Sequence, residues 1–362
     1  MSYDYLLGKG RLTVNLNGVK ENYERLSRLS VTSECAPVLK ADAYGLGLEP
    51  VARTLSEAGA STFFVALPEE GIQLRKILPS ARIFILHGFM SGEAEGMARK
   101  NLVPVINSVA QAYEWLTFCK ITSKYCPAAL QIDTGMSRFG LSEDDLKHDW
   151  LRELPLCLVM SHLACADTPE HPANKEQLAC FERLTGYFPS VPRSLSASSG
   201  IFLGKEFHFD LVRPGAALYG IAPQKDMVNP LAQVVSLEVP VWQVRDVRQG
   251  DSVGYGYCWQ APHDMRIATV GIGYADGFFR SLSGRGTLWF KGTELPVLGR
   301  VSMDSVSVDV SNPDSGTLKP GDYVTVLGSA QSVDDLAQKA GTIGYEVLTA
   351  LGRRYSRYYQ NG

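Results

Sequence analysis

From about residue 35 to residue 220 the chain alternates short apolar, β-rich runs with stretches of helical period. The runs are Ala36–Leu39, Thr62–Ala66, Arg82–Leu86, Val103–Ile106, Ala128–Ile132, Leu156–Met160, Arg193–Ser196 and Phe209–Val212. Between them, Pro68–Leu78 gathers Ile72, Leu74, Ile77 and Leu78 on one face, and Asn174–Leu184 does the same with Leu178, Phe181 and Leu184. Eight such runs alternating with helices describe a (β/α)8 TIM barrel, for which roughly 200 residues suffice. After Pro230 the texture changes. Val234–Val247, Arg266–Ile272, Leu295–Leu298, Ser305–Val310 and Tyr323–Leu327 read as strands cut by Gly, Asp and Pro turns, with one helical stretch at Val333–Lys339. The alternating segment Arg11–Asn15 could add a strand to this second group. The expected α/β architecture is therefore a barrel over residues 12–230 and a mostly-β domain over 231–362, joined by residues 1–11 or so.

Composition narrows the classes of function. Of 362 residues, 45% are hydrophobic and 20% charged, an ordinary soluble mix, and the net charge of −3 disfavours nucleic acid or an anionic membrane as partner. No apolar run approaches the roughly 20 residues of a membrane-crossing helix, and the first residues lack a secretory pattern. The seven cysteines form no CxxC pair and share no ligand spacing with the six histidines, which argues for reduced thiols and no metal site. The expectation is a cytoplasmic protein.

In a barrel of this kind chemistry collects in the loops after the strands. Lys40 follows the first run, Arg138 the fifth, His162 the sixth, Ser198–Gly200 the seventh and Arg213–Gly215 the eighth. A lysine at the end of an apolar run loses hydration, which lowers its pKa and suits it to form a Schiff base; it could equally snorkel at the rim. Arg138, in a Gly-bounded polar loop, could hold a carboxylate bidentately or pair internally with Asp133. His162 reads as an acid/base group or as a satisfied core histidine. The Ser198–Gly200 and Gly215–Ala217 segments offer hydroxyls and backbone N–H groups to a phosphate. In the second domain, Tyr255 lies between two glycines and Met303 in a tight polar turn; a hairpin aromatic is the plain reading of Tyr255.

Seven segments together resemble the alanine racemase family. They are Val38–Gly47 (VLKADAYGLG), Asp133–Gly140 (DTGMSRFG), Ser161–Asp167 (SHLACAD), Arg213–Gly220 (RPGAALYG), Gly254–Gly256 (GYG), Gly271–Gly277 (GIGYADG) and Gly299–Asp304 (GRVSMD). They occur in the family's order along nearly the whole chain. The resemblance implies a pyridoxal 5'-phosphate-dependent isomerase that interconverts L- and D-alanine through an imine with the cofactor. It also implies a homodimer whose active sites are shared between subunits. Lys40 would carry the cofactor and act as one catalytic base, with Tyr255 of the other subunit as the second. Arg138 and Met303 would bind substrate. Tyr44, His162, Ser199, Arg213 and Gly215 would bind or support the cofactor, Arg213 at the pyridine nitrogen.

Two bases on opposite faces remove and return a proton without turning the substrate, and a cationic relay through His162 and Arg213 could lower the tyrosine's pKa. Departures from the family pattern fall at Leu46, Gln131, Ser198 and Arg353. Alternatives are a family member preferring serine or another small amino acid, a non-catalytic pyridoxal-phosphate carrier made of the barrel alone, and an amino-acid decarboxylase. The carrier would lack the second domain, and the decarboxylase is disfavoured by Arg213.

Overall fold

The computed structural model describes residues 9–361. Their contacts divide into two units: the described residues up to Asn17 together with those from Gln233 onward, and Gly18–Ala232. The sequence boundary at residue 12 falls inside β1 (Arg11–Asn15), a strand bonded wholly within the first of these units. Residues 1–8, which the expected β domain also included, lie outside the described residues.

The Gly18–Ala232 unit is the barrel. Its helices and strands follow in chain order: α1 (Leu16–Leu29), β2 (Glu34–Cys35), α2 (Lys40–Tyr44), α3 (Leu48–Glu57), β3 (Thr62–Val65), α4 (Pro68–Ile77), β4 (Arg82–Ile85), α5 (Ala94–Arg99), β5 (Val103–Ile106), α6 (Val109–Thr122), β6 (Ala128–Gln131), β7 (Leu156–Met160), α7 (Ala173–Thr185), β8 (Arg193–Ser194) and β9 (Leu211–Val212). Strands β3 to β8 form a six-stranded parallel sheet in sequence order, and β2 pairs with β9. Single bridges Val38–Phe64 and Ala197–Arg213 join the two pieces into a closed ring.

These strands read as unbroken apolar runs because a parallel sheet sheathed by helices is buried on both faces. Val38, Phe64, Phe84, Val105, Ala129, Leu158 and Met160 fill the interior, with the Phe64 and Phe84 rings stacked at 4.7 Å. The ring is thus a packed core, and side chains for chemistry are left to its rim. Two of the connections expected as helices are instead short 3-10 turns: Asp145–Lys147 and Asp149–Glu153 before β7, and Ser199–Phe202 and Lys205–Phe207 before β9.

The other unit adds β10 (Val235–Val247), β11 (Met265–Val270), β12 (Thr287–Phe290), β13 (Thr293–Leu298), β14 (Val306–Asp309), β15 (Tyr323–Leu327), α8 (Val333–Ala340), α9 (Gly344–Ala350) and β16 (Ser356–Gln360) to β1. The pairing order β11-β14-β13-β12-β15-β10 closes because the long β10 also pairs with β11. On its flank β10 holds β1 antiparallel, and β1 holds β16 parallel. Strands β12 and β16 and helix α9 were not expected from the sequence. The β12–β13 hairpin turns through Lys291 and Gly292, both at positive φ, as a tight two-residue connection requires.

Candidate active site

Lys40 starts a segment with unusual backbone. Ala41, Asp42, Ala43 and Tyr44 all lie at φ of 53–56°, so α2 is one left-handed turn built without glycine. Such a conformation costs roughly 1–2 kcal/mol per residue, and it persists only where surroundings hold it. Inside the turn, the Ala43 N–H donates to the Leu39 carbonyl at 3.0 Å and the Gly45 N–H to Ala41 at 2.7 Å. Outside it, the Ala41 N–H donates to the Glu70 carboxylate at 2.6 Å, and the Leu48 N–H to Asp42 Oδ1 at 2.7 Å. Burial, followed by the Arg138 cation, lowers the Lys40 pKa below its usual range, and the Glu70 carboxylate opposes them.

Arg138 sits exposed on the loop after β6, whose ends are pinched by the Asp133–Leu141 and Leu141–Gln131 backbone bonds of 3.0 and 2.9 Å. The internal ion pair with Asp133, open from the sequence, does not form. Asp133 instead accepts the N–H groups of Gly135, Met136 and Ser137 at 2.9–3.2 Å, and no salt bridge to Arg138 exists among the described residues. The guanidinium therefore stands ready for an external carboxylate.

Arg213 is buried. It donates to the Ser194 hydroxyl, to the Ser161 carbonyl at 2.6 Å and to the Leu195 carbonyl at 3.3 Å. Burial draws its pKa down to about 9, which leaves it cationic at neutral pH. His162 responds to the whole cluster. Burial, then Arg213, Arg138 and Lys40, press its pKa down to about 3. The shift favours a neutral imidazole, and the described bonds of Arg213 go to Ser194, Ser161 and Leu195 and not to its ring. One rim thus gathers two arginines and a lysine, an arrangement suited to an anionic ligand.

The phosphate-suited corner lies between β8 and β9. A Cβ on Gly215 would meet the Tyr44 hydroxyl at 2.4 Å, so glycine is what lets this turn approach Tyr44. The Tyr44 ring is 4.9 Å from that of buried Tyr219, whose hydroxyl donates to the Val38 carbonyl. Ser198, which the sequence offered to a phosphate and marked as a departure, uses its hydroxyl oxygen to accept the Gly215 and Ala217 N–H groups at 2.9 and 3.1 Å. Gly215 therefore contributes close approach while its own N–H goes to Ser198. Ser199, the next residue, begins the 3-10 turn Ser199–Phe202. The Tyr44 hydroxyl beside the Gly215 turn fits a phosphate, and a partly desolvated Lys40 fits an aldehyde-bearing ring.

Gly215→Ala is expected to lower thermal stability, since overpacking costs about 1–3 kcal/mol, and to weaken binding of a phosphate-bearing cofactor. Unfolding curves and a cofactor titration check both effects; wild-type values in the two measurements would contradict the crowding.

A hydrogen-bond hub missed by sequence reasoning joins two of these loops. Gln177, buried on α7, donates to Thr134 Oγ1 at 3.2 Å and to the His162 carbonyl at 3.0 Å, and it accepts the Ala164 N–H at 2.8 Å. Its placement on the helical face was readable; its long-range partners were not.

The other unit holds Tyr255 and Met303, both exposed, at 71% and 51%. Tyr255 begins a 3-10 turn through Tyr257. The turn containing Met303 lies beside it: Gly299, at φ 64°, would place a Cβ 2.7 Å from the Val253 carbonyl. The Met303 turn is gripped from behind by backbone bonds from Tyr274 to Ser302 and from Ala275 to Met303. Arg354 adds ion pairs to Asp304 at 2.6 Å and to buried Asp276 at 2.7 Å.

Comparisons agree with both units. The family "Alanine racemase, N-terminal domain" matches residues 14–223, and "Alanine racemase, C-terminal domain" matches residues 234–359. A protein of Agrobacterium fabrum named "Alanine racemase, catabolic" is 46% identical, over 97% of this chain and 92% of its own. An alanine racemase of Rhizobium meliloti is 44% identical over 100% of this chain and 99% of its own. Among solved structures, alanine racemase from Bartonella henselae with covalently bound pyridoxal phosphate gives a TM-score of 0.94 at 39% identity, covering 98% of this chain and 100% of that one. The biosynthetic enzyme of Pseudomonas aeruginosa gives 0.91 at 34% identity, with the same coverages.

Proposed function

The chain belongs to the alanine racemase family, and from that premise we propose a division of labour in which Lys40 and Tyr255 are its two bases. The activity is interconversion of L- and D-alanine, and the cofactor is pyridoxal 5'-phosphate. The reading as a lone-barrel carrier falls, because the second family domain matches residues 234–359.

When bound, the cofactor supplies the electron-withdrawing system that makes an amino acid's α-proton removable near neutral pH. The rest falls to side chains. Lys40, held by its left-handed turn and lowered in pKa, takes and returns the proton on one face. Tyr255, exposed on its own chain, serves the opposite face of a partner subunit's site. Arg138, without a carboxylate partner, orients the substrate carboxylate, and Met303 limits the room beside it. Tyr44, Ser199 and the Gly215 turn hold the phosphate. Arg213 donates toward the ring nitrogen, and as an arginine it keeps its proton, which favours rapid return of a proton to carbon over side reactions. His162 supports the site as a neutral group.

The observation that carries this assignment is the shared electrostatic field. His162 feels Arg213, Arg138 and Lys40 at once, so residues far apart in sequence converge on one rim. No helix among the described residues is long and apolar enough to cross a membrane, and we place the activity in the cytoplasm, with the homodimer as its working form. Purified protein given pyridoxal phosphate should acquire an imine absorbance and erase the optical rotation of L-alanine, with L-serine assayed in parallel. Rates within a few-fold for both amino acids would defeat a strict alanine preference.

A further inference from the structure

We propose that Glu70 is the positioning residue for Lys40, its carboxylate fastening the left-handed turn that aims the lysine across the rim. The inference rests on the role given to Lys40 above, but its geometry stands without it. Four consecutive residues without glycine hold positive φ directly after Lys40. A turn of this kind relaxes unless it is tied at its ends. At the far end the tie is local: Asp42 accepts the Leu48 N–H through its side chain and the Gly47 N–H, at 2.9 Å, through its carbonyl. At the near end the tie is Glu70. One carboxylate oxygen accepts the Ala41 N–H at 2.6 Å, and the other accepts the Ala66 and Leu67 N–H groups at 2.8 and 3.1 Å.

Those last two amides mark the step from β3 into α4. The same strand is already locked to the lysine's own segment, through Leu39 N–H to Phe64 carbonyl at 2.8 Å and Phe64 N–H to Pro37 carbonyl at 2.9 Å. Glu70 thus ties the residue after Lys40 to a rigid neighbour and leaves the amine free to reach inward. As an anion it also lies close enough to offset the repulsion of Arg138 on Lys40. A glutamine at this position loses the charge and keeps one acceptor oxygen, so it can hold one set of amides but not both.

The test uses the full-length holoenzyme and three variants. In E70A, amide exchange of the peptide covering residues 38–47 should rise at least tenfold, with β5 and β6 protected as in wild type. In E70Q, where one acceptor remains and the amide NH2 faces the other set of N–H groups, that protection should return only in part, to a level between E70A and wild type. Titration of Lys40 by pH-dependent reductive methylation, on protein stripped of cofactor, should move downward in both. kcat for alanine should fall more in E70A than in E70Q, with KM changing less than threefold, because Arg138 lies on a separate loop. Should E70A fail to fold, E70D, one methylene too short to span both sets of amides, should show the same confined rise of threefold or more. Unchanged exchange at 38–47, or a rise spread equally over β5 and β6, would overturn the proposal. Failure of wild type to racemise alanine would instead strike the role of Lys40 and leave the exchange result standing.

Discussion

In Tyr255→Phe, the α-proton of L-alanine should cease to exchange with solvent at its normal rate, falling by about 10²–10⁴, while D-alanine keeps exchanging through Lys40. A phenyl ring fills the same space without an oxygen to carry the proton, so one face of the substrate loses its base and the other does not. Net racemisation, which needs both faces, should fall with the slower one. The experiment dissolves each enantiomer in D2O with the loaded enzyme and follows loss of the α-hydrogen signal by NMR. Equal losses for the two enantiomers would remove Tyr255 from its assigned face. The setting of this residue argues for a partner. Tyr255, Tyr257 and Met303 are all exposed on the β unit, and so open to a partner's site.

The second large effect is on stability in acid. The ordinary value for a histidine is 6.5 and that of folded His162 is about 3. Between these values the unfolded chain binds a proton that the folded barrel refuses. Stability therefore rises with pH across that window and is lost as pH falls through it. Each pH unit of the window is worth at most about 1.4 kcal/mol, so about 3 kcal/mol should be gone by pH 4. His162→Gln, which cannot take up a proton, should flatten this limb of the stability profile. Denaturant melts of both proteins from pH 7 to pH 4 provide the measurement, and superimposable acid limbs would show that the imidazole is not the group responsible. Burial is the leading cause of the shift, with the three cations adding to it. Binding an anionic cofactor should relieve part of the penalty.

The barrel was legible because burial on both faces writes each parallel strand as an apolar run, and the rim residues could be found by reading the next few positions. The periodic helices Pro68–Ile77 and Ala173–Thr185 stood out for the matching reason that one face alone is buried. The turn after Lys40 was illegible. Ala41, Asp42, Ala43 and Tyr44 carry no glycine to announce positive φ, so only long-range contacts impose it. Glu70 and Gln177 escaped notice for a related reason: their roles consist of bonds to distant backbone, which leave no mark on local pattern. Asp133 and Ser198 show the converse. Each was seen, but the partners that claimed them were backbone amides, whereas the sequence suggested a guanidinium for the first and a phosphate for the second. In the β unit, β12 was overlooked because its four residues sit between glycine-rich turns.

The placement of β1 has a consequence for biosynthesis. Arg11 is seated opposite Glu238 and alongside Ser356. Of the described strands β1 is the earliest made, and it gains its neighbours only after the entire barrel segment has emerged, a wait of roughly 10–70 s at ordinary elongation rates. Throughout that interval both of its edges remain open to stray pairing. A nascent chain halted after residue 232 would carry every residue of the barrel unit and an orphaned β1, whereas one lacking only the final stretch from Ser356 would expose a single edge of it.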